Sequence, residues 1–215
     1  MSEFVPQPLI QLYIVDIVEG RLEKEGDEQY RWVLFTRNGE KVYKIRINGT
    51  VVTKYYSEGN QEKKTYSNFT LDDGSDTIRV KAWEEQAEIL RGFEIGDEVE
   101  VMGRPRQSDD EIYLLPEEVL KIDDFNKSLY LRAKKIKRYA KKNYELPTEE
   151  QTIKAHDMAQ MELVWSIIME TEEGIELEEI VTKSKLDKAI VESVIQELIK
   201  KGDIYEPTSL KFRKI

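Results

Sequence analysis

The sequence predicts an all-β OB-fold barrel, followed by an α-helix and a C-terminal α+β winged-helix domain. Three observations predict it. Between Val42 and Lys121, short alternating segments separated by turn residues run in the order three strands, a helical connection and two strands. From 124 to 143 the apolar period changes to that of a helix. From Thr148 onward the order is helix, short helix, helix and hairpin.

Residues 1–40 are read as an N-terminal β extension that covers the barrel. LYIVDIV looks like a strand. YRWVLFT and KVYKIRI flank Asn38-Gly39, whose tolerance of positive φ predicts a hairpin closed by a two-residue type I′ turn.

Residues 41–122 form the barrel. Its first strand is placed at 42–54, with Gly49 where a barrel strand bends. Lys54 and Tyr55 open a polar loop over 55–64. Strands follow at 66–72, closed by Asp73-Gly74, and at 76–83. EEQAEILRGFEIGD is a short helix and loop, and 98–106 and 111–121 are the last two strands.

Residues 123–143 form a helix. Phe125, Leu129, Ala133, Ile136 and Ala140 recur at spacings of 4, 4, 3 and 4, which puts them on one face. Asp124 is a natural N-cap, and the Lys and Arg residues of the later turns suit the negative end of the helix dipole. Pro147 lies in a linker over 144–148. Residues 149–215 complete the chain: one or two helices over 149–170, ELEEIVTKS, then LDKAIVESVIQELIKKG with Gly202 as C-cap, then the DIYEP and LKFRKI hairpin.

Composition excludes several chemistries. With no cysteine and one histidine there is no disulfide, no thiolate nucleophile and no Cys/His zinc site; no metal or cofactor is expected. The chain has no Gly-rich phosphate loop, no Gly-x-Ser-x-Gly and no paired histidines, so no enzyme is expected. The adjacent carboxylates Asp72 and Asp73 fit a turn. His156 is expected to be an exposed helical residue. No apolar run reaches the roughly 18 residues of a membrane span, and no basic segment precedes the first apolar stretch. The expectation is a cytoplasmic, nucleoid-associated protein with no membrane partner.

The net charge is −10, but it is unevenly spread. Residues 123–147 hold 8 basic and 3 acidic side chains, whereas 148–215 hold 9 and 15. A winged helix that reads DNA needs cations for the phosphates. This acidic one is expected to dock proteins.

Alternation sorts the strand at 76–83. Ile78, Val80 and Ala82 suit the barrel core; Thr77, Arg79, Lys81 and Trp83 share the other face. Two cations and an indole suit a single strand, which offers phosphates and flat bases. Tyr113, Arg104, Arg106, Lys54 and Tyr55 are supporting candidates.

FTLDDG at 69–74, TIRVKAW at 77–83, GDEVEVMGR at 96–104 and EIYLLPE at 111–117 together resemble the middle-sized subunit of archaeal replication protein A. KVYKIRINGTVV at 41–52 and IQELIKKGDIYEP near the C-terminus fit the same family. The resemblance implies that Trp83 stacks on single-stranded DNA, weakly when the subunit is alone. It implies that the helix carrying Phe125, Leu129, Ala133, Ile136 and Ala140 assembles a heterotrimer with two other OB-fold subunits. It also implies that the winged helix recruits replication and repair proteins. The sequence departs from the family at two places: the N-terminus looks β-structured where eukaryotic members have a Ser-rich tail, and Ser108 stands where the last barrel loop tends to carry an aromatic ring. A second reading is a structural adaptor of the telomere-capping kind, without DNA contact. A third, a transcription-linked winged-helix factor, is opposed by charge.

Overall fold

The computed structural model describes residues 8–26, 31–60, 63–108, 111–171, 173–208 and 210–214. The ends of some sequence-predicted segments (residues 1–7, Tyr30, Gln61-Glu62 and Ile215) lie outside them. The chain divides into two compact units, 1–156 and 157–215.

In the first unit the chain begins with β1 (Leu9–Gln11) and α1 (Ile14–Val18). The β-branched run at 14–18 was expected to be a strand; it is a helix. Its opening N–H groups are satisfied by a distant turn. Ile14 N donates to Asp73 Oδ2 at 3.3 Å and Val15 N to Ser75 Oγ at 3.2 Å. Partners supplied by the tertiary fold outweigh β propensity here. A small antiparallel sheet follows, made of β2 (Arg21–Glu25), β3 (Arg31–Phe35) and β4 (Lys41–Val42). The β3–β4 hairpin forms as expected, but its turn differs. Gly39 has φ +75° while Asn38 does not enter the positive-φ region, and Thr36 N bonds to Glu40 O. The loop is therefore the three-residue kind with glycine in the left-handed position.

The barrel consists of β5 (Lys44–Ser57), β6 (Tyr66–Asp72), β7 (Thr77–Trp83), α2 (Glu85–Arg91), β8 (Glu98–Ser108) and β9 (Glu111–Lys121). Strand order around it is β5-β6-β7-β9-β8, closed by β8 pairing with β5. Strand β5 serves two neighbours: residues 45–50 pair with β8 and residues 50–57 with β6. Gly49 sits at that change of partner, where a Cβ would lie 2.5 Å from Asp72 O. Any larger residue collides with backbone there. Ile45, Ile47, Phe69, Leu71, Val80, Val101 and Leu114 fill the interior. Each such side chain contributes about 1.5–3 kcal/mol on burial.

Helix α3 (Phe125–Lys142) starts at Asp124, whose side chain accepts from Asn126 N, and ends on Asn143 in the left-handed conformation. α4 (Glu149–Met169) is a single helix, and the division between the units falls inside it.

The second unit has its own core, drawn from the end of α4, β10 (Ile175–Glu176), α5 (Leu177–Ser184), α6 (Lys188–Lys201), β11 (Ile204–Thr208) and β12 (Lys211–Lys214). Val164, Ile168, Ile180, Val191, Ile195 and Phe212 are at its centre. The strands order as β10-β12-β11, and Gly202 (φ +82°) caps α6.

Candidate nucleic-acid interface

The outward face of β5, β6, β7 and β9 carries a row of rings. Tyr66 is the register partner of Trp83, and their centroids are 5.4 Å apart. Tyr55 lies 6.1 Å from Tyr66 on one side, and Tyr113 lies 6.1 Å from Trp83 on the other. The row Tyr55–Tyr66–Trp83–Tyr113 thus crosses four strands. Trp83 is 36% exposed and Tyr55 54% exposed. Burial pushes the Tyr66 phenol above its ordinary pKa, and its oxygen accepts from Asn68 Nδ2 at 3.1 Å. Sequence reasoning missed Tyr66. The signal was present: counting by two back from Thr70 through Asn68 puts Tyr66 on the outward face opposite Trp83.

Cations flank the rings. Lys81 Nζ sits 4.8 Å over the Tyr113 ring and 2.5 Å from Glu111 Oε2. Arg79 NH1 lies 3.1 Å from the other oxygen of the same carboxylate. Glu111 therefore clamps both cations of β7 and holds their side chains in the sheet face. Arg106 is the register partner of Tyr113, and Arg104, two residues away along β8, bonds Glu117 Oε1 at 2.5 Å. The face presents stacked rings beside guanidinium and ammonium groups, an arrangement suited to bases and phosphates together.

Of the sequence candidates, Arg79, Lys81, Trp83, Tyr113 and Tyr55 are brought together here, with Arg106 and Arg104 continuing the surface along β8. Lys54 is not. Strand β5 runs through Ser57, so Lys54 and Tyr55 are strand residues and not the start of a loop. Being adjacent, they point to opposite sides. Lys54 Nζ bonds Phe93 O at 2.8 Å and Glu94 at 3.0 Å, at the loop after α2. Ser108 ends β8, and Asp109 and Asp110 of that loop lie outside the described residues.

Helix α3 reverses the usual assignment of faces. Its apolar stripe (Phe125, Leu129, Ala133, Ile136, Ala140) is exposed, Phe125 by 74%. The side toward the barrel buries Leu131 among polar groups. Lys135 Nζ reaches Asp73 Oδ2, Tyr139 donates to Asp16 Oδ2, and Arg138 pairs with Glu40. Lys135 and Arg138, read from the sequence as suiting the negative end of the helix dipole, are occupied by these acids. Asp72 makes the turn bond expected of it, to Gly74 N at 2.7 Å, while Asp73 has the further role of anchoring the helix. His156 is exposed on α4 as read.

Among the described residues no cluster of His, Cys, Asp or Glu is placed to hold a metal ion, and no helix is long and apolar enough to cross a membrane.

Residues 45–138 match the model of the OB-fold nucleic acid binding domain, and residues 132–208 match the replication protein A C terminal model. The uncharacterized protein MJ1654 of Methanocaldococcus jannaschii is 30% identical over 179 residues, spanning 79% of this chain and 73% of its own. Among solved structures, the Schizosaccharomyces pombe Stn1–Ten1 complex aligns at TM-score 0.48 and 20% identity, over 61% of this chain and 90% of that one. A replication protein A heterotrimer bound to single-stranded DNA aligns at TM-score 0.46 and 14% identity, over 62% and 98%. The chain belongs to the family of the M. jannaschii protein, and the two models it matches lie in order along it, the OB-fold nucleic acid binding domain first and the replication protein A C terminal second.

Proposed function

We propose that this chain is a non-catalytic subunit of a replication protein A-like complex that binds single-stranded DNA during replication, repair and recombination. The observation that carries the proposal is the exposed Trp83 ring between Tyr66 and Tyr113, with Lys81 beside them, on the open face of a nucleic-acid-binding OB domain. In this reading successive bases stack along the ring row, and phosphates meet Arg79, Lys81, Arg104 and Arg106. Glu111 and Glu117 compete for Arg79, Lys81 and Arg104, so the isolated subunit binds weakly and the complex supplies the rest.

Assembly uses the exposed stripe of α3 and joins the chain to two other OB-fold subunits. Five apolar side chains facing solvent support this, since an amphipathic helix gains stability by burying that face. Residues 149–215 act as a winged helix that docks replication and repair proteins. The match to the replication protein A C terminal and the acidic excess over 148–215 support that role.

The test is fluorescence anisotropy of a labelled oligothymidylate with the purified protein and its Trp83→Ala variant. Loss of one stacking platform is worth roughly 1–3 kcal/mol, about 5- to 150-fold in affinity. Duplex of equal length serves as control and should bind more weakly. Unchanged binding by the variant would take the contact away from Trp83, and no binding by either protein would favour a structural adaptor without DNA contact.

A further inference from the structure

A second group of rings and cations lies beside β8, away from the row on β5–β9. The small sheet β2-β3-β4 lies against β8 through β2 and β3. Where they meet is a cleft lined by Arg31, Trp32, Tyr43, Lys44, Arg104 and Arg106. Four cations and two aromatic rings line one depression. Arg31 stacks its guanidinium 5.2 Å from the Tyr43 ring centre. Glu117 pairs with both Lys44 and Arg104, and Glu25 accepts from Lys41 Nζ at 2.8 Å and the Tyr43 hydroxyl at 2.7 Å. Among the described residues, Glu117 thus bridges two of the four cations, and Glu25 stands opposite Arg31 in the β2–β3 register.

Two of the six lining residues also belong to the ring-bearing face. Arg106 is opposite Tyr113 in the β8–β9 register, and Arg104 follows on the same side of β8. From Trp83 on β7 to β8 is two strand spacings, on the order of 10 Å. The ring row and the cleft are therefore joined through Arg104 and Arg106 of β8, which belong to both.

We propose that the cleft is an extension of the single-strand path: a strand leaving Tyr113 crosses Arg106 and Arg104 and sets a further nucleotide into the cleft. There its phosphate meets Arg31 and Lys44, and its base lies on Trp32 or Tyr43. This rests on the proposed single-strand binding, and it assigns a nucleotide-binding role to the N-terminal β2-β3-β4 sheet. Arg31, Trp32, Tyr43 and Lys44 become contact residues, and the footprint becomes longer than the barrel face alone.

Length dependence tests it. The wild-type protein, the double variant Arg31→Ala/Lys44→Ala, Trp32→Ala and Trp83→Ala are titrated with oligothymidylates of about 4 and about 16 nucleotides, the span of OB-fold site sizes. The expected result is that the double variant and Trp32→Ala bind the long strand at least about fivefold more weakly and the short strand as the wild type does. The slope of log affinity against log salt for the long strand should also fall by about 1.4 in the double variant, at roughly 0.7 per phosphate contact. Trp32 packs partly against the core, so a melting curve is taken for each variant; if Trp32→Ala fails to fold, the double variant alone decides. Wild-type affinity and salt slope in the double variant, with Trp83→Ala weakened on both lengths, would overturn the cleft and leave the barrel site standing. Equal loss on both lengths would also overturn the extension, because cleft and face would then be one site. If Trp83→Ala binds like the wild type, the proposed contact at Trp83 itself falls.

Discussion

Lys135 of α3 lies 2.8 Å from Asp73 of the β6–β7 turn, and both side chains are almost wholly buried, at 3% and 1% exposure. The ammonium also stands 4.0 Å from the Tyr13 ring centre. Asp73 spends its remaining lone pairs on Ile14 N, Ser75 N and the Ser75 hydroxyl. One ion pair thus ties together the start of α1, the turn between β6 and β7, and the helix after the barrel. It also fixes which way α3 faces. With Lys135 turned inward, Phe125, Leu129 and Ile136 stay outside.

Replacing one member of this pair strands a buried charge. Lys135→Met should destabilise the protein by about 3–5 kcal/mol, the usual cost of breaking a buried pair from one side. Lys135→Met with Asp73→Asn leaves no uncompensated charge and should recover part of the loss. Urea unfolding of the single and double variants gives the comparison. A loss under about 1 kcal/mol for the single variant would mean that water reaches the pair and that α3 is held by something else.

The orientation of α3 is also where the sequence was hardest to read. Spacing found the helix and its apolar stripe, and Asp124 marked its start. Hydrophobicity alone cannot show that the polar side is buried, because Lys135, Tyr139 and Arg138 meet acids 62, 123 and 98 residues away. The same holds for α1, where Ile14 and Val15 read as strand until the Asp73–Ser75 turn supplies partners for the first-turn N–H groups. The barrel strands were legible because alternation and Asp-Gly turns are local. Strands β6 and β9 begin and end where alternation placed them, at Tyr66–Asp72 and Glu111–Lys121. On the candidate face, Trp83 and Lys81 followed from alternation within one strand. The Glu111 clamp and the full ring row depend on pairing between strands, which one strand's pattern does not contain.

Acid should act in opposite directions on two aspartates. Lys121 at 2.7 Å, followed by the Glu94 N–H at 2.9 Å, holds the Asp97 carboxyl below the ordinary value. Its contribution is present above the unfolded carboxylate pKa, about 3.9, and is lost as pH falls through the lower folded value. Burial raises the Asp16 carboxyl, against the opposing bonds from Tyr139 and Arg37. Its folded form takes up a proton before the unfolded form does, so acidification relieves a cost that is fully present at neutral pH. Chemical unfolding of Asp97→Asn and Asp16→Asn across the acid range separates them. The wild type's advantage over Asp97→Asn should shrink as pH falls, and its balance against Asp16→Asn should shift toward the wild type. The same trend in both variants would contradict one of the two directions.

The exposed stripe of α3 yields a prediction in which folding and assembly part company. Leu129 and Ile136 are each 46% exposed. Exposed positions without special contacts tolerate substitution within about 0.5 kcal/mol. Leu129→Asp with Ile136→Asp should therefore leave the melting temperature of the isolated chain nearly unchanged. If the stripe joins other subunits, the same variant loses them, because two carboxylates at the centre of an apolar interface must be desolvated without partners. Light scattering after size exclusion, with the native complex as starting material, reads both species at once. A variant that melts like the wild type and elutes alone supports assembly through this face. A variant that still carries its partner subunits would show that another surface holds them, and the stripe would then need a different occupant.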